Sequence, residues 1–104
     1  MEQEKVLEHI KKIARQRFPE GASLWLYGSR ARGEACSDSD YDLLILVDSE
    51  KMIPEADKTA YEICLMGYDN GVEINPHIYP VDKWNSWTFT PFYKNVEKDK
   101  IRLL

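Results

Sequence analysis

From Gln3 to Phe18 the apolar residues Val6, Leu7, Ile10, Ile13, Ala14 and Phe18 recur every three or four positions, which aligns them on one face of a helix. Lys11, Lys12, Arg15 and Arg17 mostly take the solvated side, and Pro19 with Gly21 ends the element. Leu24 to Tyr27 reads as a short apolar strand running into Gly28 and Ser29. A second strand is predicted from about Asp40 to Val47, with Leu44 and Leu46 on one face and Leu43, Ile45 and Val47 on the other. A strand apolar on both faces is a central strand, covered from both sides. Helical spacing returns at Ile53, Ala56, Ala60, Ile63, Cys64 and Gly67, with Pro54 at a helix start and an end near Met66. Asp69, Asn70 and Gly71 form a turn. A third strand follows over Val72 to Tyr79, placing Val72, Ile74 and Ile78 on one face and Glu73, Asn75, His77 and Tyr79 on the other. Pro76 cannot donate to a ladder, so this strand belongs at an edge or carries a bulge. Trp84, Trp87, Phe89, Phe92 and Tyr93 lie in the tail, which then reads as a polar helical stretch to Leu104. The fold class is α+β: a small mixed sheet of three to four strands with helices packed on it, in one domain over residues 1–104.

Composition narrows the partners. With 43% hydrophobic and 12% aromatic residues the chain has enough apolar side chain for a core. Its 14 basic and 18 acidic residues give a net charge of −4, and no basic block is present. A long nucleic acid is therefore not an expected partner. The longest aliphatic run, Leu43 to Val47, is far below the ~18–20 residues a bilayer crossing needs. No secretory pattern opens the sequence, so a cytoplasmic setting without a membrane partner is expected. Cys36 and Cys64 have no metal-binding or disulfide spacing.

The chemistry concentrates between Gly28 and Leu46, GSRARGEACSDSDYDLLIL. A glycine admits a bulky anion close to the backbone, and a serine at a helix start offers a hydroxyl and amides to phosphate oxygens. Arg30 and Arg32 add positive charge there, Arg32 being the better ligand candidate and Arg30 equally readable as a solvated loop residue. Gly33 fits a loop conformation with positive φ. Two residues apart on one strand, Asp40 and Asp42 share a face with Cα atoms roughly 6.5–7 Å apart. Carboxylates so placed repel one another unless a cation sits between them, and Mg²⁺ takes carboxylate and phosphate oxygens together. The blander reading of SDSDYD is a polar turn whose side chains cap loop amides, the role assigned to Asp38.

Gly28-Ser29, ten intervening residues and Asp40-x-Asp42, with Ala31-Arg32-Gly33 in the loop and Ser39 before the acids, together resemble the signature of the minimal nucleotidyltransferases of the DNA polymerase β superfamily. The resemblance covers nearly the whole order of elements. It implies the nucleotidyltransferase fold, nucleotide binding by Gly28, Ser29, Arg32 and Ser39, and two Mg²⁺ ions on Asp40 and Asp42. Members of that family take a third carboxylate from the next core strand, which here falls on Glu73 or on Asn75, an amide that cannot act as a base. With Glu73 the catalytic set is Asp40, Asp42 and Glu73; with Asn75 the chemistry is slow or absent. His77 shares that face and reads either as a base or, more commonly for an edge strand, as a surface residue.

Two functions follow from the resemblance. One is Mg²⁺-dependent transfer of a nucleoside monophosphate from ATP or another nucleoside triphosphate to a hydroxyl on a protein or small molecule. The other is a catalytically weak or inactive nucleotide-binding antitoxin subunit that neutralises a helical partner of the HEPN type by binding it. A chain this short has little room for its own substrate-recognition domain, which points to self-association or to a partner chain. About half of the tail aromatics are expected to close the core.

Overall fold

In the computed structural model, which describes residues 2–104, helix α1 spans Gln3–Arg17 and strand β1 Ser23–Tyr27. A single helical turn, α2, covers Ser29–Arg32, and strand β2 runs over Tyr41–Val47. A 3₁₀ turn at Glu50–Met52 leads into helix α3, Ile53–Asp69, and strand β3, Ile74–Pro80, follows. Helices α4, Val81–Asn85, and α5, Pro91–Asp99, precede a two-residue strand β4, Ile101–Arg102. The sheet order is β3-β2-β1-β4, with β2 and β3 parallel and the other two pairings antiparallel. The α+β class and the mixed sheet are as predicted. Parallel pairing of β2 with β3 needs a crossover, and α3 supplies it.

The central strand is β2, and its alternation sorts the core into two clusters. Leu43, Ile45 and Val47 join Val6, Ile10 and Ala14 of α1, Leu24 and Leu26 of β1, and Ala56, Ala60 and Ile63 of α3. Leu44 and Leu46 point the other way, to Trp84 of α4 and Val96 of α5, with Trp25, Tyr79, Trp87 and Tyr93 around them. At 1% exposure Trp84 is the largest side chain fully inside, and its indole N–H donates to Glu97 (2.9 Å), which satisfies a polar group that burial would otherwise penalise.

The structure corrects four element boundaries. The polar tail is not helical to its end: α5 stops at Asp99, and residues 101–102 pair with Trp25 and Leu26 of β1. Only two residues long and polar at Arg102, β4 carries too little alternation to be seen in the sequence. Strand β3 begins at Ile74 rather than Val72, leaving Glu73 just outside it, and β2 begins at Tyr41, one residue after Asp40. Helix α3 runs on to Asp69, where Asn70 N–H closes on the Met66 and Gly67 carbonyls. Pro76 does lie in an edge strand, in unbroken register opposite Leu43. Among the described residues no helix is long and apolar enough to cross a membrane.

Candidate functional site

The C-terminal end of β1 and the N-terminal ends of β2 and β3 meet at one edge of the sheet. In the register Tyr27 lies opposite Asp42, and Asp42 opposite Asn75. Paired residues project to the same side, so Tyr27, Asp42 and Asn75 share the face that α4 and α5 cover farther along. Asn75 Nδ2 donates to Asp40 Oδ2 (3.2 Å) and to Asp42 Oδ1 (3.4 Å), so one amide spans both acids. Glu73 is held beside Asp40 because its carbonyl accepts from the Tyr41 N–H (2.9 Å). A hydrogen bond with Asp40, then the charge of Asp40, pushes the Glu73 carboxyl above the usual glutamate range. The sequence left Glu73 and Asn75 as alternatives for one position. In the structure they occupy successive places: Asn75 between the acids, Glu73 exposed at the mouth next to Asp40.

Gly28 closes the other side. Its φ of 77° and ψ of −160° belong to glycine. A Cβ built there would come within 2.4 Å of Asp42 Oδ2, so no side chain fits between the bend and the acid. The bend and the two acids therefore face one another. The Gly28 carbonyl accepts from the Ala31 and Arg32 N–H groups (3.0 and 3.1 Å), which turns the chain into α2 directly after Ser29. Gly33, at φ 75°, ends that turn in the left-handed conformation expected for it.

Both arginines of the loop have partners within the chain. Arg30 fastens the loop: its guanidinium donates to the Ser39 carbonyl (2.8 and 3.1 Å) and the Ser37 carbonyl (3.3 Å), reaches Gln3 (3.4 Å), and lies 4.3 Å from the centre of the Tyr41 ring. Arg32 points instead to Asp99 of α5 (2.8 Å) and to Glu34. Ser39 Oγ accepts from the Cys36 N–H (2.8 Å), closing the turn that presents Asp40. Neither arginine contacts Asp40 or Asp42 through a hydrogen bond or ion pair among the described residues, so the acid pair has no cationic partner from either.

Rings flank the acids. Tyr27, His77 and Phe92 stand with centroids 6.1–6.4 Å apart. Burial, then the charges of Asp42 and Tyr79, pushes the Tyr27 phenol up to about 12, so it is a neutral donor at physiological pH. The sequence reading passed over Tyr27. Its place immediately before Gly28, at the same parity as Trp25, was the available signal. A groove of about 430 Å³ lined by Cys64, Tyr68, Gly71, Val72, Glu73 and Ile74 shares only Glu73 with these groups, and Asp40 and Asp42 are half-buried beside it.

The acid ledge is suited to a hard cation. Among the described residues no three His, Cys, Asp or Glu side chains converge as an all-protein metal cage. Mg²⁺ does not need one, since it is ordinarily held by one or two carboxylates with substrate phosphates completing its shell. Two oxygen-donor acids held 3.2 and 3.4 Å from one neutral amide match that donor set.

Comparison with known proteins bears on the family and the fold. Residues 7–103 match the family described as nucleotidyltransferase domain. No curated protein matches the sequence. A solved structure of a toxin-antitoxin with AMP-PNP is similar at a TM-score of 0.62 and 17% identity, over 94% of this chain and 72% of that one. A proposed nucleotidyltransferase from Sulfolobus solfataricus is similar at a TM-score of 0.60 and 20% identity, over 96% and 80% of the respective chains. At these identities the two structures speak for the fold.

Proposed function

The chain belongs to the nucleotidyltransferase domain family, and from that premise we propose that it moves a nucleoside monophosphate from a nucleoside triphosphate, ATP in the first instance, to a hydroxyl on a protein or small molecule. The observation that carries the reading is the packing of Asp42 against a side-chain-free Gly28, with Asp40 joined to the same Asn75 amide. Gly28 and Ser29 receive the triphosphate, with Ser39 and Arg32 at its margin, the latter after exchanging its ion pair with Asp99. Asp40 and Asp42 hold the metal. Mg²⁺ held by these two acids would supply charge neutralisation during an in-line displacement.

In that displacement the acceptor oxygen bonds to the α-phosphorus, the bond to pyrophosphate breaks, and Glu73 takes the proton of the hydroxyl. Asn75 positions both acids and, turned by half a rotation, presents its carbonyl oxygen to a cation. The test is pyrophosphate release from labelled ATP with Mg²⁺ and candidate acceptors. Release that disappears in Asp40→Asn with Asp42→Asn supports the reading. Equal release from that variant overturns it.

Asn75 favours a second reading, because an amide between two acids supplies one negative charge fewer than a third carboxylate there would. In that case the protein binds nucleotide with little turnover and acts as an antitoxin subunit on a helical, HEPN-type toxin, as the similarity to a toxin-antitoxin structure invites. Co-expression with a toxic helical neighbour separates the two. Neutralisation that survives the double Asp substitution means binding suffices, and neutralisation lost with it means transfer is required.

A further inference from the structure

Phe92 and His77 leave ring surface open on the same sheet face as the acids, while Trp84 goes into the core. Trp84 is 1% exposed, and Tyr79 and Trp87 pack about it at 5.7 and 6.2 Å. Phe92 is 40% exposed although its edge meets Trp84 at 5.6 Å. His77, opposite Leu44, lies two residues beyond Asn75 on the same face, roughly 6.5–7 Å along the strand. Tyr27, opposite Asp42 and next to Gly28, joins the two at 6.1 and 6.4 Å. We propose that Tyr27, His77 and Phe92 form the platform on which the base of the nucleoside triphosphate stacks, an assignment that rests on the reading of the acid ledge as a nucleotide site.

The chemistry of the ligand selects this wall. A nucleoside triphosphate has an anionic end and a planar, weakly polar end. The first belongs at Gly28 and Ser29, beyond the C-terminal end of β1. The second needs an aromatic surface within one nucleotide's reach, and every aromatic ring offers a π-face to any base. The platform is also built in advance. Pro91 presets the backbone at the start of α5, and Thr90 Oγ1 accepts from the Tyr93 N–H (3.2 Å) while donating to the Trp87 carbonyl (2.7 Å), so Phe92 sits on a capped first turn. Placing one ring on α5 and two on the sheet gives the base a face to stack on and edges to meet. Stacking of this kind is tolerant of base identity, which predicts weak discrimination among nucleoside triphosphates.

The experiment compares binding of ATP with binding of inorganic tripolyphosphate, each with Mg²⁺, to the wild-type chain and to Phe92→Leu, Phe92→Tyr and His77→Ala. Tripolyphosphate keeps the anion and lacks the base. The expected result is that Phe92→Leu, which keeps the apolar contact with Trp84, and His77→Ala each weaken ATP binding by roughly tenfold while tripolyphosphate binding is unchanged. Phe92→Tyr should restore ATP affinity. ATP and tripolyphosphate weakened alike, or neither weakened, overturns the platform. Wild-type affinity for ATP no greater than for tripolyphosphate overturns it as well, with the phosphate site intact. A wild-type chain that binds neither overturns the nucleotide reading together with the platform.

Discussion

The face of the sheet under α1 and α3 is closed chiefly by aliphatic side chains of five elements, whereas the face under α4 and α5 is closed by aromatics and stops short of the strand ends where Asp40, Asp42 and Asn75 stand. Both faces draw on the same strand, β2, whose odd residues serve one and even residues the other. The comparison shows how a chain this small separates tasks. Stability comes chiefly from the fully covered face. The partly covered face keeps a row of polar groups and ring edges in reach of solvent, where burial has not fixed what they may touch.

Substitutions on the two faces should diverge accordingly. Ile45→Ala empties a fully buried site on the α1 and α3 side and should cost about 2–5 kcal/mol of folding stability by urea denaturation. A loss as large from Phe92→Leu would erase the distinction between the faces. Gly28→Ala should cost less, about 1–3 kcal/mol, from its left-handed φ and the collision with Asp42, and should remove nucleotide binding altogether. Arg30→Ala removes the bonds to Ser37 and Ser39 from a half-exposed loop. About 1 kcal/mol or less is expected, with faster proteolytic cutting between residues 33 and 40 as the readout.

The smallest effect is a pH dependence. Glu73 holds its proton in the folded chain to higher pH than the ordinary 4.5. The stability linked to it is thus fully present below that ordinary value and is lost as pH rises through the raised one. In metal-free protein Glu73→Gln should therefore lift the melting temperature slightly near neutral pH and leave it unchanged below pH 4. Mg²⁺ should raise the melting temperature of the wild type more than that of the variant. Equal shifts in both would separate Glu73 from the cation.

What could be read from the sequence follows the same division. The covered face was legible because its residues alternate strictly in β2 and repeat at helical spacing in α1 and α3, and each pattern has one structural reading. Gly28-Ser29 with Asp40 and Asp42 was legible because the spacing returns the chain to its starting edge. Glu73 and Asn75 were not resolved, since the strand register decides which of them lies opposite Asp42 and no periodicity reveals register. The partners of Arg30 and Arg32 were not legible because each is a cation in the same short turn, and Ser39 and Asp99 stand 9 and 67 residues away. Strand β4 was missed because two residues carry no period.

The claim on which the account turns is that Asp40 and Asp42 hold divalent cations against the phosphates of a nucleotide seated at Gly28 and Ser29. It is tested most directly by crystals grown with Mn²⁺ and a non-hydrolysable ATP analogue, with the anomalous signal locating the metal. The account predicts manganese within about 2.0–2.2 Å of carboxylate oxygens from both aspartates and of phosphate oxygens beside Gly28. Manganese absent from the two acids, or nucleotide bound away from the Gly28 bend, would contradict it.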